Sequence, residues 1–190
     1  MKRVFLVHGW ESSPKSDWFP WLKDTLEKKG CEVVAPAMPN TDAPEIGPWV
    51  QALTKAVGTP DKDTYFVGHS IGCQTILRYL ESLPEGSKVG GALFVAGWFT
   101  LVGLETEEEK TIAKPWIESD IDFKRVKKTT KKFVAIFSDN DPYVPIGQAA
   151  DFEMTIGARV LIRKRKGHFR REDGVTEYKL IYDELKKLMK

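Results

Sequence analysis

Residues 64–72 read Thr64-Tyr65-Phe66-Val67-Gly68-His69-Ser70-Ile71-Gly72. Apolar, β-prone residues run directly into Gly68-His69-Ser70-Ile71-Gly72. A stretch with apolar residues at helical spacing follows at once, from Ile71 to about Leu83, with Ile76, Leu77 and Leu80 inward. Strand, sharp turn and helix is the context that G-x-S-x-G needs to act as a nucleophile elbow. So tight a turn drives Ser70 toward unfavourable φ/ψ, and two glycines without Cβ let strand and helix close around it. The hydroxyl then stands at the carboxyl end of a sheet, faced by the free N–H groups of a helix N-terminus. Because five residues match by chance in Gly-rich turns, the motif carries weight only if the rest of the chain supplies its partners.

Outward from the elbow the chain alternates strands and helices. Upstream, a short apolar strand spans Arg3 to Val7, followed by the loop His8-Gly9-Trp10-Glu11-Ser12-Ser13-Pro14. The pattern then predicts a helix over about Trp18–Lys29, capped by Asp17 or Ser16, with Pro20 in its first turn and Gly30 closing it. A strand over Glu32–Pro36 and a helix over about Glu45–Val57 come next, then the strand Thr64–Val67 of the elbow. Downstream, strands are expected at Gly90–Ala96, Phe133–Phe137 and Arg159–Ile162, and helices at about Pro145–Ile156 and Thr176–Met189. Residues 98–131 form the longest stretch without a strand. One or two short helices covering the sheet end are expected there, a candidate small cap or lid. The alternation implies an α/β fold: a three-layer α/β/α sandwich around an open, mostly parallel sheet of about six strands with right-handed crossovers.

The 190 residues suit one domain with a sizeable core, 1–190, and no composition shift marks a boundary. A 42% hydrophobic and 29% charged composition is that of a soluble globular protein. No apolar run nears the ~18 residues of a spanning helix. The start, Met1-Lys2-Arg3, resembles a signal peptide, but only Val4–Val7 are apolar, short of the ~7–15 residues of an export signal. A cytoplasmic location is expected. Cys31 and Cys73 have no metal or redox spacing and read as reduced core thiols. There is no H-E-x-x-H, P-loop or G-x-G-x-x-G, so neither a metal nor a nucleotide cofactor is implied.

A serine hydroxyl needs a base, and the base an orienting acid. Only three histidines are present. His69 adjoins Ser70 and reads as a packing residue of the elbow, while His8 precedes the serine. His168 follows the last strand, at the sheet edge of Ser70, and fits the chain order Ser, acid, His. Two aspartates compete for the acid after the fifth strand. Asp141 opens Asp-Pro-Tyr-Val-Pro where a carboxylate can turn toward the last loop; Asp139, its reserve, reads as a turn-former. Oxyanion donors are expected in the backbone N–H groups of Ile71 and Trp10, with Gly9 permitting close approach.

These stretches resemble the α/β-hydrolases, more narrowly the small YdeN / retinoblastoma-binding-protein-nine group of serine hydrolases. The likeness runs nearly end to end. It rests on His8-Gly9-Trp10, Asp17-Trp18-Phe19-Pro20-Trp21-Leu22, Met38-Pro39-Asn40, Gly68–Cys73, Ser138–Pro145 and Gly167-His168-Phe169. The resemblance implies a triad of Ser70, Asp141 and His168. It also implies the strand order 2-1-3-4-5-6, with the elbow at the switch point where open α/β sheets bind ligands, and the absence of the antiparallel strands that open larger members.

The expected substrate is a small acyl compound, a carboxylic ester before a thioester or amide. Trp10, Trp98 and Phe99, with Trp116, are candidates to line an apolar pocket, and His69 is a further substrate-binding candidate. Trp18, Trp21 and Trp49 read as core. The basic run Arg163-Lys164-Arg165-Lys166, continued by Arg170-Arg171, has three readings: a solvated loop, a positive rim for anionic substrates, or a nucleic-acid footprint. No binding module accompanies it, and no nucleic-acid partner is expected. The rival to a hydrolase is a protein-interaction module on the same scaffold, free to lose Ser70 or His168; a transferase or perhydrolase would share the triad.

Overall fold

The structure, a computed structural model, describes residues 1–190. Six strands form one sheet: β1 (Arg3–Val7), β2 (Glu32–Val34), β3 (Thr64–His69), β4 (Gly91–Val95), β5 (Phe133–Ser138) and β6 (Arg159–Arg163). Their order is β2-β1-β3-β4-β5-β6 and every neighbouring pair is parallel, as expected from the resemblance. Parallel neighbours need crossovers, and helices supply them: α1 (Phe19–Glu27), α2 (Ile46–Val57), α3 (Ile71–Ser82), α4 (Glu107–Glu118), α5 (Phe123–Thr129), α6 (Gln148–Ile156) and α7 (Lys179–Leu188). The central strands β3, β4 and β5 are buried at every position, which is why they read as unbroken apolar runs rather than alternating ones. One core of 48 buried residues joins both faces of the sheet.

Three differences from the sequence reading are local. Helix α1 begins at Phe19 with Trp18 as its uncapped N-cap residue. Asp17 does not cap it; at φ +54 its Oδ1 accepts the Arg171 N–H at 2.8 Å. Strand β3 runs two residues past Val67, because Gly68 and His69 keep pairing with Phe94 and Val95. Cys73 is buried, but Cys31 is only half-buried, so one thiol and not both belongs to the core.

The stretch 98–131 folds as α4 and α5. A reciprocal capping box starts α4: Thr106 Oγ accepts the Glu109 N–H, and the Glu109 carboxylate accepts the Thr106 N–H. Trp116 anchors it, wholly buried, donating its indole N–H to the Pro44 carbonyl at 2.9 Å. Arg78 of α3 donates to the carbonyls of Trp116 and Ser119, which the helix C-terminus leaves unpaired. The C-terminal end of α4 is thus tied to α3 and to the loop before α2. No helix is long and apolar enough to cross a membrane.

Candidate active site

At the carboxyl end of β3 the chain reverses into α3 within one residue. Ser70 takes φ +53, ψ −124, a conformation that costs of order 1–3 kcal/mol in a non-glycine residue. The surroundings over-determine it. Its N–H donates to Val95 O at 2.9 Å, and both flanking glycines are obligatory. A Cβ on Gly72 would lie 2.2 Å from the Val7 carbonyl oxygen, and one on Gly68 2.9 Å from the Cys73 amide nitrogen. The elbow glycines therefore let α3 press against the ends of β1 and β3, and that pressure holds Ser70 in its strained turn.

The candidate base lies on the loop after β6. His168 is 3% exposed. Its Nδ1–H donates to both carboxylate oxygens of Asp141, at 2.8 and 3.0 Å, with both side chains buried. A carboxylate only accepts, so Nδ1 carries a proton, and in the neutral imidazole the lone pair is then on Nε2. Asp141 is itself oriented: its Oδ1 accepts the N–H groups of Tyr143 and Val144. Asp139 faces elsewhere, accepting the Arg165 N–H at 2.8 Å, so of the two aspartates it is Asp141 that contacts His168. Ser70 and His168 line one cavity. They make no hydrogen bond to each other, the looser arrangement common before substrate binds.

The N–H groups of Ile71 and Trp10 are taken up by no acceptor in the protein. Ile71 opens α3, so its N–H has no intrahelical partner. Trp10 lies on the loop after β1. That loop is fastened to the one after β2, where Asp42 O accepts the Trp10 indole N–H at 3.0 Å and Thr41 O accepts the Glu11 N–H.

The remaining histidines separate cleanly. His8 donates from Nδ1 to Gly9 O and accepts the Met38 N–H at Nε2; burial lowers its pKa, and it is a satisfied core residue. His69 is 2% exposed and donates from Nε2 to the His168 carbonyl at 2.7 Å. Burial, then the positive charge of a protonated His168, holds its imidazole well below the ordinary histidine range.

Two cavities meet at Ser70. A small one, about 90 Å³, is lined by Trp10, Leu101, Leu104, Tyr143 and His168, with Glu11, Glu109 and Arg170 at its polar side. A larger one, about 460 Å³, is polar: Lys15, Arg170 and Arg171 face Glu11, Asp17 and Glu172, and Trp10 is its one large apolar wall. Trp10 and His69 line the larger cavity together with Ser70. Trp98 and Phe99 do not: Trp98 is 1% exposed in the core, and Phe99 stacks on Phe152 at 4.5 Å. Trp116 is core as well. The apolar wall comes instead from Leu101, Leu104 and Tyr143, which carry no sequence signal beyond lying in the two covering segments. Of the basic run, only Arg170 and Arg171 reach the cavities, and three acids balance them, so no purely positive rim forms. No three His, Cys, Asp or Glu side chains converge to hold a metal ion.

This geometry has known counterparts. The family model for serine hydrolases matches residues 4–187. The chain is 32% identical over 185 residues to the hydrolase YdeN of Bacillus subtilis, covering 97% of this chain and 94% of that protein. The crystal structure of YdeN superposes with a TM-score of 0.90, covering 99% of this chain and 98% of that one. The serine hydrolase RBBP9 of Rattus norvegicus is 22% identical over 154 residues, 80% of this chain and 77% of its own. A strained elbow serine, a match along almost the whole chain and 32% identity to YdeN agree: the protein belongs to the serine hydrolase family.

Proposed function

We propose that the protein hydrolyses carboxylic esters through an acyl-enzyme on Ser70. The observation that carries this is the buried Asp141–His168 pair, Nδ1 to carboxylate at 2.8 Å, on the cavity that Ser70 opens into. Ser70 Oγ adds to the ester carbonyl as His168 Nε2 takes its proton. The Trp10 and Ile71 N–H groups donate to the oxyanion, a contribution worth roughly 2.7–4 kcal/mol per donor in other acyl-transfer enzymes. The carbonyl–oxygen bond to the leaving group then breaks, and His168 returns the proton to the departing alkoxide. Water, deprotonated by the same nitrogen, cleaves the acyl-enzyme and restores Ser70. Asp141 keeps the imidazole in the accepting tautomer throughout and stabilises the imidazolium as it forms.

The cavities support a substrate preference. The apolar space beside His168 has room for only a few heavy atoms, since a water molecule's share of liquid volume is about 30 Å³. The larger space is polar with balanced charge. A compact apolar group on one side and a larger hydrogen-bonding group on the other fit this pair better than a long acyl chain does. Hydrolysis of p-nitrophenyl esters of increasing chain length, by wild type and Ser70→Ala in parallel, tests the proposal. Turnover highest for acetyl and butyryl esters and absent in Ser70→Ala is the expected result; equal rates in both proteins would defeat it.

A further inference from the structure

Within the loop that carries His168, backbone N–H groups are held by side-chain acceptors. Arg165 N–H donates to Asp139, Lys166 to Ser138 Oγ and Gly167 to Asn140. Those of His168 and Arg170 share Asp173, at 2.9 and 3.0 Å. These partners belong to the turn after β5 or to the loop itself; further along, the Arg171 N–H goes to Asp17 ahead of α1. They place His168 relative to Asp141, not relative to Ser70. The His168 carbonyl is different: it accepts one hydrogen bond, from His69 Nε2 at 2.7 Å. His69 is the last residue of β3 and the immediate neighbour of Ser70.

We infer that His69 is a positioning residue: its Nε2–H, donated to the His168 carbonyl, fixes the distance between the nucleophile and its base. Because His69 and Ser70 share the elbow, the bond ties the base loop to the element that holds the serine. The two imidazoles lie 5.0 Å apart, centroid to centroid, and Trp18 packs edge-on against His69 at 5.9 Å, with His69 2% exposed. Its Nδ1 is buried without a partner. A proton there would have no acceptor, so the ring proton stays on Nε2, where the bond needs it. The groups whose charge would act on His69 are His168, in direct contact, and Arg170 and His8. A second positive charge beside a developing His168 imidazolium would oppose proton transfer, and a neutral His69 avoids this.

The inference rests on the acyl-transfer reading of Ser70 and His168, and two substitutions with two readouts test it separately from that reading. His69→Phe keeps the ring volume and removes the donor. His69→Gln replaces the ring but carries an amide N–H that reaches the same carbonyl. With p-nitrophenyl acetate, His69→Phe should lower kcat by about 10–100-fold, the scale of a misplacement near 1 Å, with KM within about threefold. His69→Gln should recover most of the loss. Unchanged kcat in His69→Phe, or an equal loss in both variants, overturns the inference. Proton NMR of the imidazole region gives the second readout and needs no substrate. The His168 Nδ1–H resonance should persist in His69→Phe, since Asp141 still accepts it, while the His168 ring carbon-bound protons shift. In His69→Gln they should return toward wild-type positions. Ring signals superimposable on wild type in His69→Phe overturn the inference even if no ester is turned over.

Discussion

At the scale of the residue, the site is a set of side chains whose partners leave them one job each. Asp141 spends its acceptor capacity on Tyr143 N–H, Val144 N–H and the His168 imidazole. Asp141→Asn should therefore keep the fold while letting the imidazole adopt the wrong tautomer, with kcat falling by about 10⁴-fold, as when the acid of a serine-protease triad is so changed. Steady-state kinetics against an unchanged circular dichroism spectrum checks this. Gly72 shows the opposite kind of constraint. With 2.2 Å between its virtual Cβ and the Val7 oxygen, Gly72→Ala must push α3 off the ends of β1 and β3. A loss of about 3 kcal/mol is expected, a fall of roughly 6–12 °C in Tm for a chain of this length by thermal denaturation. The glycines and the serine were legible in the sequence because backbone strain leaves a residue-level signature. The role of His69 was not, because a hydrogen bond to a backbone carbonyl 99 positions away leaves no pattern in either segment.

At the scale of the element, two connections build the substrate space. The segment between β4 and β5 brings Leu101, Leu104 and Glu109 to the small cavity, and the turn after β5 brings Tyr143, whose ring stands edge-on to His168 at 5.2 Å. Widening the cavity with Leu101→Ala or Leu104→Ala should shift the ratio of hexanoyl to acetyl ester kcat/KM upward by roughly 10-fold, the low end of the value of one methylene in an apolar pocket. An unchanged ratio would mean that the acyl group lies elsewhere. The helices of this segment were readable from composition; Trp98 and Phe99 as pocket walls were not. Both follow a strand end on the catalytic edge, a position that does not reveal direction. Two glutamines hold this backbone: Gln148 Oε1 accepts the Phe99 and Thr100 N–H groups and its amide N–H donates to the Thr100 hydroxyl, while Gln74 donates to the Trp98 carbonyl. The acceptor-rich turn Ser138-Asp139-Asn140-Asp141 could have been read further. Four short polar side chains in a row at a strand end mark a place where a neighbouring loop's backbone must be held.

At the scale of the molecule, the parallel sheet puts the elbow, the acid turn and the base loop at one edge, from segments far apart in sequence. That convergence was legible because it follows from alternation and crossover handedness alone. Folding also buries two histidines in the neutral form, His8 and His69, with pKa values lowered chiefly by desolvation. The unfolded chain then binds more protons than the folded one below the ordinary histidine value near 6.5, so stability rises with pH across that window. Asp17, whose carboxyl is raised by burial, contributes the opposite slope, at pH values nearer the carboxylate range. Thermal denaturation should show Tm falling between pH 7 and pH 5, and a shallower fall in His69→Gln. A Tm that rises on acidification through that window would contradict the burial of neutral imidazoles.

The central claim, that Ser70 is a nucleophile activated by His168, is met most directly by covalent capture. Native protein treated with a fluorophosphonate should gain one adduct by intact-mass spectrometry, mapped by peptide digestion to the segment containing Ser70. Labelling should vanish in Ser70→Ala and slow by orders of magnitude in His168→Ala. Folded wild-type protein that takes up no label, or label that maps to another residue, would contradict it.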